Sequence, residues 1–209
     1  LHSLLSLHGV ASLHANMCKD LSLLPDEDIA LSAEREFFMA DTIPSPLSFT
    51  SHLLPLTYHP SPHHANVPYT IHHTSSSPLN RGGEVVGKLI GGNLSVLYGL
   101  QGTPYSLNKI IEQCEQPPIL FIEDISENHY HIDRMLNSLR MSAVFDSIGG
   151  LVVGQFTDCA DDPSMGCSLL ESIRQVVDDY SFPILFDYPS GHIDSNYPLL
   201  LSADYLLSV

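Results

Sequence analysis

The chain has no tryptophan, only four cysteines, and only eight lysines and arginines against 24 aspartates and glutamates. Each scarcity narrows the possibilities. Eight scattered cations in a chain of formal net charge −16 cannot line a phosphate-tracking stripe, so neither nucleic acid nor an anionic membrane surface is expected as a partner. Cys18, Cys114, Cys159 and Cys167 show no CxxC or closely paired spacing. Reduced thiols are therefore expected rather than a disulfide framework. No run reaches the ~18–20 apolar residues of a membrane span. The opening LHSLLSLHGVASLHA is apolar, but it lacks a basic n-region and is broken by His2, His8 and His14, so it does not read as a secretory signal. The first residue is Leu rather than Met. The chain is expected to begin inside a longer protein, which leaves room for a targeting signal upstream.

What is present is enough apolar material to fold. Of 209 residues, 44% are hydrophobic and 15% charged, sufficient for one sizeable core or one core and part of a second. The first forty residues read as mixed, with a strand-like GVASLH at Gly9–His14 and a helix near Ile29–Met39. From Ile43 to Asn80 the chain is rich in Pro, Ser and His and nearly uncharged, as expected of a connector with short extended pieces. This divides the chain into residues 1–42, a linker at 43–80 and a second unit at 81–209.

Beyond the linker the patterning is regular. ILFIE at Ile119–Glu123, GLVVGQF from Gly150 and PILFD at Pro183–Asp187 predict strands covered on both faces. Between them, Ile132, Met135, Leu136 and Leu139 share one helical face of His131–Arg140. Leu169, Leu170, Ile173, Val176 and Val177 form the stripe of a second helix at Ser168–Tyr180. Alternating strands and helices imply right-handed crossovers and a parallel core. Glu84–Leu97 and Pro198–Val209 are expected to add strands at the margins.

Two suggestive motifs fail. GGEVVGKL spaces Gly82, Gly87 and Lys88 like a phosphate loop, but Leu89 stands where the magnesium-binding hydroxyl belongs. His59, His63, His64, His72 and His73 crowd the connector without a nearby cysteine or an HExxH spacing, so a solvated loop is expected there and no metal site.

Two polar points sit where an open α/β sheet places its chemistry, just beyond the carboxyl ends of strands. One is Glu123-Asp124, ending ILFIE; the other is His192, in the turn after PILFD. A carboxylate there can hold an imidazole by its Nδ1–H and leave Nε2 free to take a proton. Taken singly, an acid at a strand end also serves as a helix cap, and a loop histidine is also simply exposed. Topology leaves both readings open.

The order of several segments adds to this. GGNLSVL at Gly91–Leu97, GTPY at Gly102–Tyr105, FIEDISENHYHIDRML, VVGQFTDC and SGHIDSNYPLLL occur in that sequence. The series resembles the LD-carboxypeptidase family, serine peptidases that include murein tetrapeptide carboxypeptidases and microcin-immunity peptidases. The likeness is dense over Val86–Val209 and thinner over the first forty residues.

The resemblance implies an α/β fold, with a remnant of a flavodoxin-like N-terminal domain followed by a mixed-sheet swivelling α/β domain. It implies a Ser-Glu-His triad whose histidine is His192 and whose acid is Glu123, the residue nearest the strand end, with slippage by one position to Asp124 left open. Asp124 and Glu127 otherwise read as structural or substrate-facing. Ile193 departs from the glycine that often follows the family histidine. Asn93 is the candidate substrate contact. The family serine lies in a GxSD-like turn ahead of a leucine-histidine pair and an HGPM stretch, which Leu1-His2 and His14-Ala15-Asn16-Met17 resemble. The nucleophile is therefore expected just upstream of residue 1. Ser3, Ser6 and Ser12 lack the Gly-x-Ser turn and read as surface-helix serines. The implied reaction removes terminal D-Ala from muropeptides in cytoplasmic cell-wall recycling, without metal or organic cofactor, in a chain that also allows a homodimer. Two alternatives are an amidase of peptidyl-nucleotide antibiotics, against which the missing tryptophan argues, and a non-catalytic fragment.

Overall fold

The computed structural model describes residues 2–15, 28, 31, 34, 69–72 and 77–209. The predicted helix near Ile29–Met39 lies largely outside these residues, as do most of the connector, Asn16, Met17, Cys18, His59, His63, His64, His73 and the side chain of His72.

A six-stranded mixed sheet organises the described chain. Its strands are β2 (Tyr69–His72), β3 (Glu84–Asn93), β4 (Ile119–Ile125), β5 (Gly150–Thr157), β6 (Ile184–Leu185) and β8 (Asp204–Ser208), in the order β2-β8-β3-β4-β5-β6. β3, β4, β5 and β6 are mutually parallel, as the alternation of strands and helices predicts. β8 runs antiparallel to β3 and parallel to β2, which makes the sheet mixed. A separate antiparallel pair joins β1 (Ser12–His14) to β7 (Leu199–Leu201).

The helices are α1 (His2–Leu7), α2 (Leu94–Gly99), α3 (Leu107–Ile111), α4 (His129–Met141) and α5 (Leu169–Val176). Ile132, Met135, Leu136 and Leu139 of α4 are all buried, as the stripe predicts. Ser168 caps α5 in a reciprocal box with Glu171, which satisfies two of the backbone donors orphaned at a helix start.

Three expectations need correction. Pro198–Val209 does not add a marginal strand, since β8 lies between β2 and β3 and β7 pairs with β1 outside this sheet. Glu84–Leu97 is not a marginal strand: β3 lies inside the sheet, and from Leu94 the chain turns into α2. Leu89 and Ile90 explain its place, since each is buried in a different core layer and both faces of β3 must be covered. PILFD also pairs over only Ile184–Leu185.

Alternation along β4 separates the two layers. Leu120 and Ile122 pack with the helices, whereas Ile119 and Phe121 pack with Leu199, Leu201 and Tyr188 on the opposite face. Because strand side chains alternate with period two, Glu123 continues the Phe121 face and Asp124 the helix face. The phosphate-loop look-alike around Lys88 lies within β3 and the residues leading into it, with no strand–loop–helix turn.

Candidate active site

β3, β4 and β5 all point their carboxyl ends at one edge, where Asn93 is the register partner of Glu123. The β4–β5 pairing slips here: Ile122 faces Val153 but Asp124 faces Phe156, so Gly154 and Gln155 together oppose Glu123. Such a bulge twists the ladder and re-aims nearby side chains.

Into this kink packs the loop that carries His192. Gln155 donates its backbone N–H to the Ser190 carbonyl at 2.9 Å and its Nε2–H to the Tyr188 carbonyl at 3.1 Å. Tyr188 in turn donates N–H to the Val153 carbonyl at 3.1 Å. Gly154 makes the approach possible, since a Cβ there would lie 2.4 Å from the Ser190 carbonyl oxygen and 2.7 Å from the Phe121 ring.

The result is a carboxylate–imidazole pair. His192 Nδ1 lies 2.7 Å from Glu123 Oε2. The Glu123 side chain is fully buried, while that of His192 is 40% exposed. An ionised carboxylate only accepts, so the bridging proton resides on Nδ1 and neutral His192 presents a free Nε2. Burial pushes the Glu123 carboxyl above its ordinary range and Asp124 adds to this; the hydrogen bond and charge of His192, and the nearby Asn93 side chain, oppose it. Glu123 Oε1 is buried without a hydrogen-bond partner among the described residues.

Asp124, one residue on, faces the other way and is fully engaged. It accepts from Asn93 Nδ2 at 2.8 Å, Ser95 N at 2.9 Å, Ser95 Oγ at 3.1 Å and its neighbour Ile125 N at 2.9 Å. It thereby anchors the start of α2, whose N-cap is Asn93, accepting at Oδ1 from Val96 N at 3.1 Å. Asn93 thus sits beside the pair but spends Oδ1 and one Nδ2 hydrogen on this cap. Glu127 bonds His131 Nδ1 at 3.1 Å.

The resemblance of His14-Ala15-Asn16-Met17 to the family's HGPM stretch gave His14 itself no named role. Its ring stands edge-on to Phe121 with centroids 5.2 Å apart, and its Nε2 is buried without a partner among the described residues. Burial, then the proximity of His2 and His192, lowers its pKa to about 4. No sequence pattern links His14 to Phe121; only the pairing of β1 with β7 brings them together.

The serines near the start of the chain bond partners other than His192. Ser6 Oγ bonds Ser202 Oγ at 2.6 Å, and Ser12 Oγ bonds His2 Nδ1 at 2.7 Å. They are not all surface-helix serines: Ser3 is buried within α1 and Ser12 belongs to β1. Among the described residues, the His192 side chain has no hydrogen-bond partner but Glu123. Cys114, Cys159 and Cys167 are free, and no group of three or more metal-binding side chains converges among the described residues.

Residues 86–207 match the family model described as the LD-carboxypeptidase C-terminal domain. The chain is 35% identical over 125 residues to a probable murein peptide carboxypeptidase of Bacillus subtilis, covering 58% of this chain and 36% of that protein. It is 29% identical over 120 residues to the microcin C7 self-immunity protein MccF of Escherichia coli, covering 56% of this chain and 32% of that one. The matched part spans about a third of either relative's length. The fold is similar to that of the muramoyltetrapeptide carboxypeptidase from Oxalobacter formigenes, with a TM-score of 0.70 at 23% identity, over 100% of this chain and 61% of that one.

Proposed function

Because this chain belongs to the LD-carboxypeptidase family, we propose that Glu123 and His192 are the acid and base of a serine-peptidase triad that removes terminal D-alanine from murein tetrapeptides in cytoplasmic cell-wall recycling. The 2.7 Å Glu123–His192 bond at the carboxyl edge of the sheet carries this reading.

The nucleophile in this proposal is a serine N-terminal of Leu1 in the full enzyme. Its Oγ attacks the carbonyl carbon linking the L-centre of diaminopimelate (or lysine) to D-Ala, while its proton passes to His192 Nε2. Glu123 stabilises the imidazolium so formed. Collapse of the tetrahedral intermediate returns that proton to the departing D-Ala amine and leaves an acyl-enzyme. Water, deprotonated by His192, then releases the tripeptide. Backbone N–H groups around the serine would hold the oxyanion. Asn93, beside the pair, is the proposed contact to the substrate. Residues 1–42 would belong to the nucleophile-bearing domain and 81–209 to the dyad-bearing one.

Mass-spectrometric detection of D-Ala released from a disaccharide tetrapeptide tests this. The expected result is release by a form extended N-terminally through a Gly-x-Ser turn, and none by the 209-residue chain. Release by the short chain would overturn the missing-serine assignment. Cleavage of a peptidyl-nucleotide amide in preference to the tetrapeptide would move the enzyme to the microcin-immunity reaction.

A further inference from the structure

His192 is held to Glu123 by one hydrogen bond, yet its loop needs a second anchor to keep that bond aligned. We infer that Asn196 is the positioning residue that sets the orientation and tautomer of His192, acting through the Gly191 peptide. Asn196 is 4% exposed and lies only four residues beyond His192, where its side chain turns back into the loop. Its Oδ1 accepts from the Gly191 backbone N–H at 2.9 Å and from Ser190 Oγ at 3.1 Å. The loop is closed further by the Tyr197 N–H, which donates to the Pro189 carbonyl at 2.8 Å.

Gly191 is the point where such an anchor matters. Its φ of +141° lies in a region few side chains adopt, and a Cβ there would lie 3.1 Å from the Gln155 carbonyl oxygen and 3.2 Å from Glu123 Oε2. The Gly191 peptide therefore passes directly over the carboxylate, and any rotation of it moves His192 Nδ1 relative to Glu123. Besides the Glu123–His192 bond, the buried side-chain carbonyl of Asn196 opposes that rotation, because releasing it would leave the Gly191 N–H without a partner.

This inference rests on the dyad proposed above, but its test needs neither substrate nor nucleophile. Long-range 1H–15N correlation spectra of the 209-residue chain report the tautomer of each imidazole. His192 is expected as the Nδ1–H tautomer in the parent chain, as a mixture in Asn196→Ala, and again as Nδ1–H in Asn196→Asp, which keeps the acceptor. Ser190→Ala, which spares the Gly191 bond, should leave the parent pattern. In the N-terminally extended enzyme, Asn196→Ala should lower kcat on the order of 10–100-fold with KM little changed. A single Nδ1–H tautomer in Asn196→Ala would overturn the assignment. So would an Asn196→Asp spectrum as mixed as that of Asn196→Ala, because the acceptor would then not be what matters. Should Asn196→Ala lose its dispersed amide spectrum, the near-isosteric Asn196→Leu removes the acceptor with little loss of volume, and the same readings apply to it.

Discussion

Glu123 and Asp124 are chain neighbours with opposite orientations: the first bonds His192 Nδ1 at 2.7 Å, the second caps α2 through Ser95 N at 2.9 Å. Replacing each should therefore have opposite consequences. Glu123→Gln removes a fully buried charge and leaves the imidazole without its carboxylate. In the extended enzyme kcat should fall about 10³–10⁴-fold, while the urea midpoint stays level or rises because the buried charge is gone. Equal losses of activity and stability would argue against a catalytic assignment.

Asp124→Ala should do the reverse in the folded chain. Four hydrogen bonds end on this carboxylate, and removing it frees the first turn of α2 and the Asn93 amide. Urea unfolding should show a loss of about 2–3 kcal/mol. An unchanged midpoint would show that α2 holds its start without this strand.

His14 predicts a pH-dependent stability. Its pKa of about 4 in the folded chain lies below the ordinary 6.5, so between these values the unfolded chain binds a proton that the native one refuses. Stability is therefore fully present above pH 6.5 and falls as pH drops towards 4, by up to about 3 kcal/mol from this group. The raised Glu123 pKa acts in the opposite sense, so the comparison must be between the parent chain and His14→Gln. Across pH 4–7 the parent's unfolding midpoint should fall relative to that of His14→Gln as the pH drops; parallel curves would remove His14 from the linkage.

Gly154→Ala places a methyl group 2.4 Å from the Ser190 carbonyl oxygen. Backbone, not a flexible side chain, is what it meets, so the His192 loop has to lift. Stability should drop by about 1–3 kcal/mol, and the parent chain's His192 tautomer signal should broaden or mix. A variant with both properties intact would mean that the loop has slack in this direction.

Arg81 offers a contrast far from the site. Its guanidinium donates to the carbonyls of Val177 at 3.1 Å and Asp178 at 3.0 Å, and also to that of Tyr180, closing the chain beyond α5. Arg81→Ala should cost about 2–3 kcal/mol by chemical denaturation, since these acceptors end a helix and lose their cation. The tautomer of His192 should be untouched.

The legible parts of the fold are those where periodicity reports burial. The α4 stripe and the runs ILFIE and GLVVGQF needed only local pattern, because an element covered on one stripe or on both faces shows it in every residue. α2 and α3, six and five residues long, escaped because so short a helix has no stripe. α2 also owes part of its first-turn capping to Asp124 on another strand. The central position of β3 escaped for a related reason: β8, its antiparallel neighbour, comes from the far end of the chain.

By itself the sequence determined that an acid pair would end one parallel strand, that a histidine would follow another, and that the ordered motifs belong to one peptidase family. It could not say which acid of the pair meets the histidine. Adjacent strand residues point to opposite faces, and which face becomes the site depends on what packs there. Only the tertiary structure decided that, by laying β7, β1 and the Tyr188–Pro198 loop over the face that Phe121 and Glu123 share, and the helices over the face of Asp124.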